Sequence, residues 1–327
     1  MRVLITGACG RIGSTLASYL KGKGHWVRGF DVSPPITNSS LDDHVTGSLL
    51  EIDALQRASD SIDGVVHLAA LMTWHPQDNP RLFETNVTGT FQLLQTIKDR
   101  GLSRFVFASS GEVYPELNPR QQPITEQHPT FPTSPYGMTK LLGETMVKNI
   151  SAESGLPYTI LRFSHTQAAE ELLNPDSFFS GPRFYLNAKI RQLRSLPQSP
   201  AITKTLEDLE GLATSEEQHY VSLDRNGKPF RMGMCDVRDM VQGIELALTH
   251  ENAIDQTFNI GARSSFDFAE AVRYLATFTG LPVVEAQLST TRYDYETSVE
   301  KAIQLLGYEP AFDIFKMIED AATQHAH

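Results

Sequence analysis

The segment Thr6-Gly7-Ala8-Cys9-Gly10-Arg11-Ile12-Gly13 constrains the fold more than any other part of the chain. An apolar run, Val3 to Ile5, leads into it, and a helical pattern, Ile12 to Lys21, leads out. Gly7 suits the tight turn between strand and helix. Gly10 lets the backbone approach a ligand, and Gly13 lets helix and strand pack closely. The helix start offers free N–H groups and a partial positive charge, which suit a pyrophosphate. A second strand, Trp26 to Phe30, runs into Asp31. A carboxylate there can accept from both ribose hydroxyls of an adenosine and would repel a 2′-phosphate. Arg28 precedes Asp31, so no arginine clamp for that phosphate is expected. A glycine turn without a ligand is the alternative; the full order of strand, turn, helix, strand and acid favours a dinucleotide.

Further short apolar runs alternate with helical patterns through the first two-thirds of the chain. Gly64 to Ala69, Phe105 to Ser109 and Tyr158 to Phe163 read as buried strands, and Leu82 to Lys98 and Thr139 to Ser151 as helices. This is the pattern of an α/β fold, a parallel sheet with helices on both faces. Gly101 is a plausible C-cap. After Phe163 the pattern loosens. Leu196 to Glu217 is polar and reads as an insertion with one short helix. Asp236 is the expected N-cap of a helix, and Thr257 to Ala262 a last main-sheet strand. The remainder fits a small α/β cap.

Composition bounds the function. A net charge of −11 argues against a nucleic-acid surface, and no apolar run is long enough to span a membrane. The first residues enter a strand at once, leaving no room for a secretory signal. Two cysteines, Cys9 and Cys235, give neither a disulfide framework nor metal spacing. The expectation is a cytoplasmic protein without a structural metal.

Tyr136 and Lys140, in Ser-Pro-Tyr-Gly-Met-Thr-Lys, stand four residues apart and share one helix face. An ammonium beside a phenol favours the phenolate, giving a general base for a substrate hydroxyl. Ser110, at the end of the strand before, can hold the same hydroxyl. A surface Tyr and Lys without a joint role is the alternative; downstream of the glycine loop catalysis is favoured.

On these residues the chain resembles the extended short-chain dehydrogenase/reductase superfamily, in its NAD-dependent sugar epimerase/dehydratase group. His67 to Ala70, Asn86 to Thr90, Phe258 to Ala262 and Leu305 to Pro310 are similar to further motifs of that group. The resemblance implies a Rossmann doubly wound sheet carrying NAD, over residues 1–163 completed by about 237–261. Residues 164–236 and 262–327 would form a smaller C-terminal α/β domain that closes over a sugar-type substrate. It implies cofactor contacts from Gly7, Gly10, Arg11, Ile12, Gly13, Asp31, Leu49, Leu68, Ala69, Ala70, Asn86, Tyr136 and Lys140. Ser110, Tyr136 and Lys140 would be the catalytic triad. It also implies a homodimer through Leu82–Lys98 and Thr139–Ser151. The apolar Leu82, Phe83, Val87, Phe91, Leu94 and Ile97, with Leu141, Leu142, Met146 and Val147, serve either that contact or the core.

The chain departs from the group in three places. Ser48 replaces an acid after the third strand. Ser164 and His165 stand where a substrate-facing Asn is expected, with Gly-Pro-Arg only at 181–183. Leu196–Glu217 is extra. His165, Arg183 and Arg231 are therefore candidate substrate contacts, with a structural role equally open for His165. In the group, dehydratases carry an Asp-Glu pair and some decarboxylases a Ser-Glu pair where this chain has Gly111-Glu112. Glu112 is thus expected to lack an acidic neighbour. It acts either as a lone acid/base, as an acceptor for a sugar hydroxyl, or as a partner for loop N–H groups. The expected activity is oxidation of a carbinol of a sugar or nucleotide-sugar by hydride transfer to NAD. A simple dehydrogenase of a free sugar, sugar acid or polyol and a catalytically silent NAD sensor are the alternatives.

Overall fold

Seven parallel strands form the central sheet. They are β1 (Arg2–Thr6), β2 (Trp26–Asp31), β3 (Asp43–Thr46), β4 (Gly64–His67), β5 (Arg104–Ser110), β6 (Tyr158–Phe163) and β7 (Gln256–Ile260). Their order is β7-β6-β5-β4-β1-β2-β3, with every pairing parallel. The computed structural model describes residues 1–35, 37, 39–73, 75–289 and 292–325.

A parallel sheet must be covered on both faces, and the period-2 alternation of each strand divides its side chains between them. Val3, Ile5, Val106 and Leu161 pack with Leu16 and Leu20 of helix α1 (Arg11–Gly22) and with Met240 and Ile244 of α3 (Val237–Thr249). Leu4, Val65, Phe105, Phe107 and Ile160 face the other way. They meet Val147 and Ile150 of α2 (Pro135–Ser154), together with Leu93, Leu94 and Ile97. Strand order turns back at β1, which lies between β2 and β4. The crevice beyond the carboxyl ends of these strands is where such sheets place ligands.

The structure refines several expected elements. β4 ends at His67, and Leu68 to Ala70 leave the sheet toward the glycine loop. The expected helix over 82–98 is interrupted: Asn79–Phe83 and Gly89–Ile97 flank a π-helical stretch, Glu84–Thr88. Asn86, within that stretch, accepts from Leu71 N at 2.7 Å and donates to Leu71 O at 2.9 Å and to Thr139 Oγ1 at 3.1 Å. The wider turn thus goes with a side chain that ties the loop after β4 to α2, a common use of π segments near functional sites. The polar stretch 196–217 holds an 11-residue helix, Pro200–Glu210, capped by Ser199, and buries Thr205 and Leu209. It packs against the helix Leu186–Ser195 rather than standing out as a loop. Residues 165–167 pair with 234–236, and 219–223 with 283–287, in two small parallel ladders. A second core lies over them, with Tyr114, Tyr185, Tyr220, Phe268 and Met317 among its members. Among the described residues no helix is long and apolar enough to cross a membrane.

One buried polar network joins β5, β6, β7 and α2. The Arg162 guanidinium on β6 pairs with Glu144 of α2, Nη2 to Oε2 at 2.7 Å and Nε to Oε1 at 2.9 Å. Ser109 donates to Glu144 at 2.6 Å. Arg162 also donates to the Tyr114 hydroxyl, which donates in turn to Asn259 of β7. The Arg162 and Glu144 side chains are 6% and 1% exposed, so each charge depends on the other. Removing one partner of such a pair typically costs about 3–5 kcal/mol. Arg162→Met is expected to lose stability on that scale in urea denaturation.

Some of the apolar stripe on the two helical runs is left outside. Leu82, Leu94, Ile97 and Val147 are buried, whereas Phe83, Phe91, Met138 and Leu142 are exposed at 44%, 46%, 44% and 37%. An apolar surplus on adjacent helices is what a two-fold four-helix contact needs. Light scattering at micromolar concentration is expected to report a dimer, and Phe91→Glu a monomer.

Candidate active site

The glycine loop has the geometry of a backbone cradle. Gly7 adopts φ +74°, a left-handed conformation, and a Cβ there would stand 2.8 Å from Ala69 N. A Cβ on Gly13 would stand 2.2 Å from Gly7 O, so only glycine lets α1 start this close to β1. Gly10, at the N-cap, supplies no side chain to the free N–H groups, and the first turn of α1 holds no acid. The positive end of the helix is thus left for an external anion. At the end of β2, Asp31 accepts from Cys9 N at 3.0 Å and Ser33 N at 3.1 Å. These features fit the pyrophosphate and the adenosine ribose of a dinucleotide.

From this loop a crevice runs to the ends of β5 and β6. Gly7, Gly10, Arg11, Ile12, Gly13, Leu68 and Ala70 line one end, and Ser110, Glu112, Tyr136, Lys140, His165 and Arg183 the other. Sequence reasoning named all of these, and the structure brings them together. It treats four others differently. Ala69 contributes its backbone against Gly7, and Leu49 is buried against Gly89. Asn86 spends its amide on Leu71 and Thr139 and lies outside the crevice lining. Arg231, expected as a substrate contact, lies outside the crevice lining and pairs with Glu296 at 2.7 Å.

The wall that carries Ser110, Glu112 and Tyr136 is set by the close packing of β5 on α2. A Cβ on Gly137 would stand 2.3 Å from Glu112 O, so this glycine lets the loop after β5 reach the helix start. Ser134 caps the helix by accepting from Gly137 N at 2.9 Å, and the same hydroxyl donates to Glu112 Oε2 at 2.5 Å. Glu112 therefore bonds a side-chain hydroxyl rather than the loop N–H groups that were one expectation. Its own N–H donates to Ser110 Oγ at 3.2 Å. Burial raises the Glu112 carboxyl, opposed by Ser134 and by the charge of Arg183.

Lys140 donates to Ala108 O at 2.7 Å, and its Nζ lies 5.6 Å from the Tyr136 ring centre. Burial lowers this ammonium to about 8. The Tyr136 phenol is raised, by burial first and then by the Glu112 charge. Here the desolvation cost of a phenolate outweighs an ammonium that is directed at the Ala108 carbonyl.

Beyond this wall, Arg183 returns from a distant segment to donate to His165 Nδ1 at 3.0 Å. Burial, then the Arg183 charge, drops the imidazole to about 3, so it is neutral. The Ser164 hydroxyl lines the same wall and is buried without a hydrogen-bond partner among the described residues. Glu116, Phe178 and Phe179 also line it and were not expected.

The chain is similar to known proteins over its whole length. A UDP-glucose 4-epimerase of Halalkalibacterium halodurans is 29% identical, over 99% of this chain and 96% of its own. A short-chain dehydrogenase/reductase superfamily protein of Agrobacterium tumefaciens, crystallised with bound NAD, is 43% identical with a TM-score of 0.93. That likeness covers 100% of this chain and 97% of the other. MoeE5, solved with UDP-glucuronic acid and NAD, is 26% identical with a TM-score of 0.75 and full coverage of both chains. With residues 3–261 matching its family model, the chain belongs to the NAD dependent epimerase/dehydratase family and is an NAD-dependent enzyme.

Proposed function

We propose that the protein oxidises a carbinol of a sugar or nucleotide-sugar, with Tyr136 as the proton acceptor. The observation that carries this reading is the convergence of Ser110, Tyr136, Lys140 and Glu112 on the crevice that starts at the glycine loop. NAD, when bound, supplies the hydride acceptor and a positive ring charge that favours the phenolate. Ser110 holds the substrate hydroxyl while Tyr136 takes its proton. Lys140, fixed by Ala108 O, places an ammonium on the same helix face. Gly7, Gly10, Gly13 and the start of α1 would hold the pyrophosphate, and Asp31 the adenosine ribose. The names of the relatives support a nucleotide-sugar as substrate and epimerisation as outcome.

A second reading, net oxidation of a free sugar or sugar acid, is favoured by Arg231. Its charge is taken up by Glu296 outside the crevice, which leaves one cation fewer for a diphosphate. Four probes separate the two: UDP-glucose, UDP-glucuronic acid, glucose and glucuronic acid, each offered with NAD. A stereoisomeric product without lasting NADH absorbance supports epimerisation. Lasting NADH from a free sugar supports the dehydrogenase. No turnover of any probe overturns both.

Two further outcomes are expected. Tyr136→Phe should bind NAD nearly as the parent does and lose on the order of 100- to 10,000-fold in turnover. NAD should bind more tightly than its 2′-phosphorylated form, by about tenfold or more. Asp31→Ala should narrow that gap, because the repelling carboxylate is gone. Calorimetric titration of both cofactors reads this, and equal affinities in the parent protein would refute it.

A further inference from the structure

Arg11 opens α1 at the end that the glycine loop leaves free for an anion, yet its side chain does not stay on that loop. It reaches the other wall of the crevice. Its Nε donates to Glu171 Oε1 at 2.8 Å, and Nη2 lies 2.8 Å from the same oxygen. Nη1 donates to Thr166 O at 3.0 Å, and the guanidinium lies 4.9 Å from the centre of the Phe179 ring. Arg11, Thr166 and Phe179 all line the crevice, so residues of its two walls touch here and the crevice is bridged.

The far side of the bridge is aimed in advance. Glu171 belongs to a short helical turn, Ala169–Leu173, and its second oxygen, Oε2, accepts from Ala168 N at 3.3 Å. With its amide turned so that both ends are satisfied, Gln167 also donates to Oε2, at 2.9 Å, and accepts from Arg183 Nη1 at 2.9 Å. Glu171 thus keeps Oε1 for Arg11. The near side is a single side chain. The Arg11 and Glu171 side chains are 25% and 23% exposed, and a partly exposed ion pair contributes little to a fold. The bridge can therefore open without unfolding either wall.

A dinucleotide that runs from Asp31 over the glycine loop to Lys140 has its pyrophosphate beside Arg11, so the bridge stands across the middle of the ligand. We propose that Arg11 and Glu171 form a gate over the dinucleotide crevice, and that its opening sets the rate at which NAD enters and leaves. With the gate closed, a ligand held at both ends has no sideways exit. A net dehydrogenase must open it once per turnover, whereas an epimerase that regenerates its NAD need not. The gate itself does not depend on which of these reactions the protein performs.

Stopped-flow fluorescence of NADH tests this on the full chain. Mixing reads association, and a chase with excess NAD reads release. No sugar is needed, so the outcome is separate from the carbinol reading. An altered binding contact ordinarily changes release far more than association. Loss of a gate raises both. Glu171→Gln should raise both rates about tenfold or more and move the dissociation constant by less than about threefold. Arg11→Ala combined with Glu171→Ala removes the bridge without changing net charge and should do the same. That separates a gate from lost repulsion between Glu171 and an anionic ligand. In the parent protein, raising the ionic strength should speed release, because screening weakens the pair, and the double variant should respond less. Parent-like rates in both variants overturn the gate. Faster release with unchanged or slower association overturns it too, since the pair would then be a plain binding contact. A gain in Glu171→Gln that the double variant lacks, or an equal salt response in parent and double variant, also overturns it.

Discussion

The buried ion pair between Glu144 and Arg162 is the contact on which the rest of the site depends. Glu144 stands one turn beyond Lys140 and two beyond Tyr136, so the three share one stripe of α2. Fixing Glu144 to β6 and to Ser109 of β5 fixes the azimuth of the helix, and with it the direction in which the phenol and the ammonium point. Ser109 immediately precedes Ser110. One carboxylate therefore holds both the strand end that carries Ser110 and the helix that carries Tyr136 and Lys140. Two desolvated charges are an expensive way to join two elements, and apolar packing could match their stability. What apolar packing cannot match is direction, since a bidentate guanidinium accepts its carboxylate in few orientations.

The parts of this arrangement that follow a local rule were legible in the sequence. The glycine loop is a rule of backbone clearance, and Asp31 a rule of charge at a strand end. The Tyr136–Lys140 spacing is a rule of helix periodicity. Each is satisfied by residues near one another in the chain. What escaped reading was settled by tertiary contact. The π segment around Asn86 goes with a side-chain amide bound to a loop and a second helix. Arg231 was expected at the substrate, and its partner Glu296 lies 65 residues away. Glu116 was invisible because the relevant fact is an absence: Gly111 has no side chain, and the space is filled from five residues downstream. The burial of the Tyr136 phenol was out of sight for a related reason. Spacing shows that an ammonium is near, whereas the cost of burying a phenolate depends on everything that excludes water from it.

Function in this chain is divided between a rigid half and a chemically adjustable half. Backbone atoms of the glycine loop, and glycines that no side chain can replace, hold the cofactor end. The other end of the crevice is lined by side chains whose proton affinities are shifted: Glu112, Glu116, His165 and Lys140. The departures at Ser164, His165 and Gly111 all fall on the second half.

The Ser134 hydroxyl has a consequence for how the helix and the chemistry are coupled. It owns one proton, which it gives to Glu112, and it receives the N–H of Gly137 on its lone pairs. The strength with which it caps α2 therefore varies with the charge on Glu112: a carboxylate draws the hydroxyl proton away and sharpens the oxygen as an acceptor, and a neutral acid relaxes it. Each turnover that moves a proton through Glu112 would tighten and loosen the first turn of the helix that carries Tyr136. The helix origin and the proton inventory of the site form one thermodynamic cycle, so neither can be altered without a measurable echo in the other.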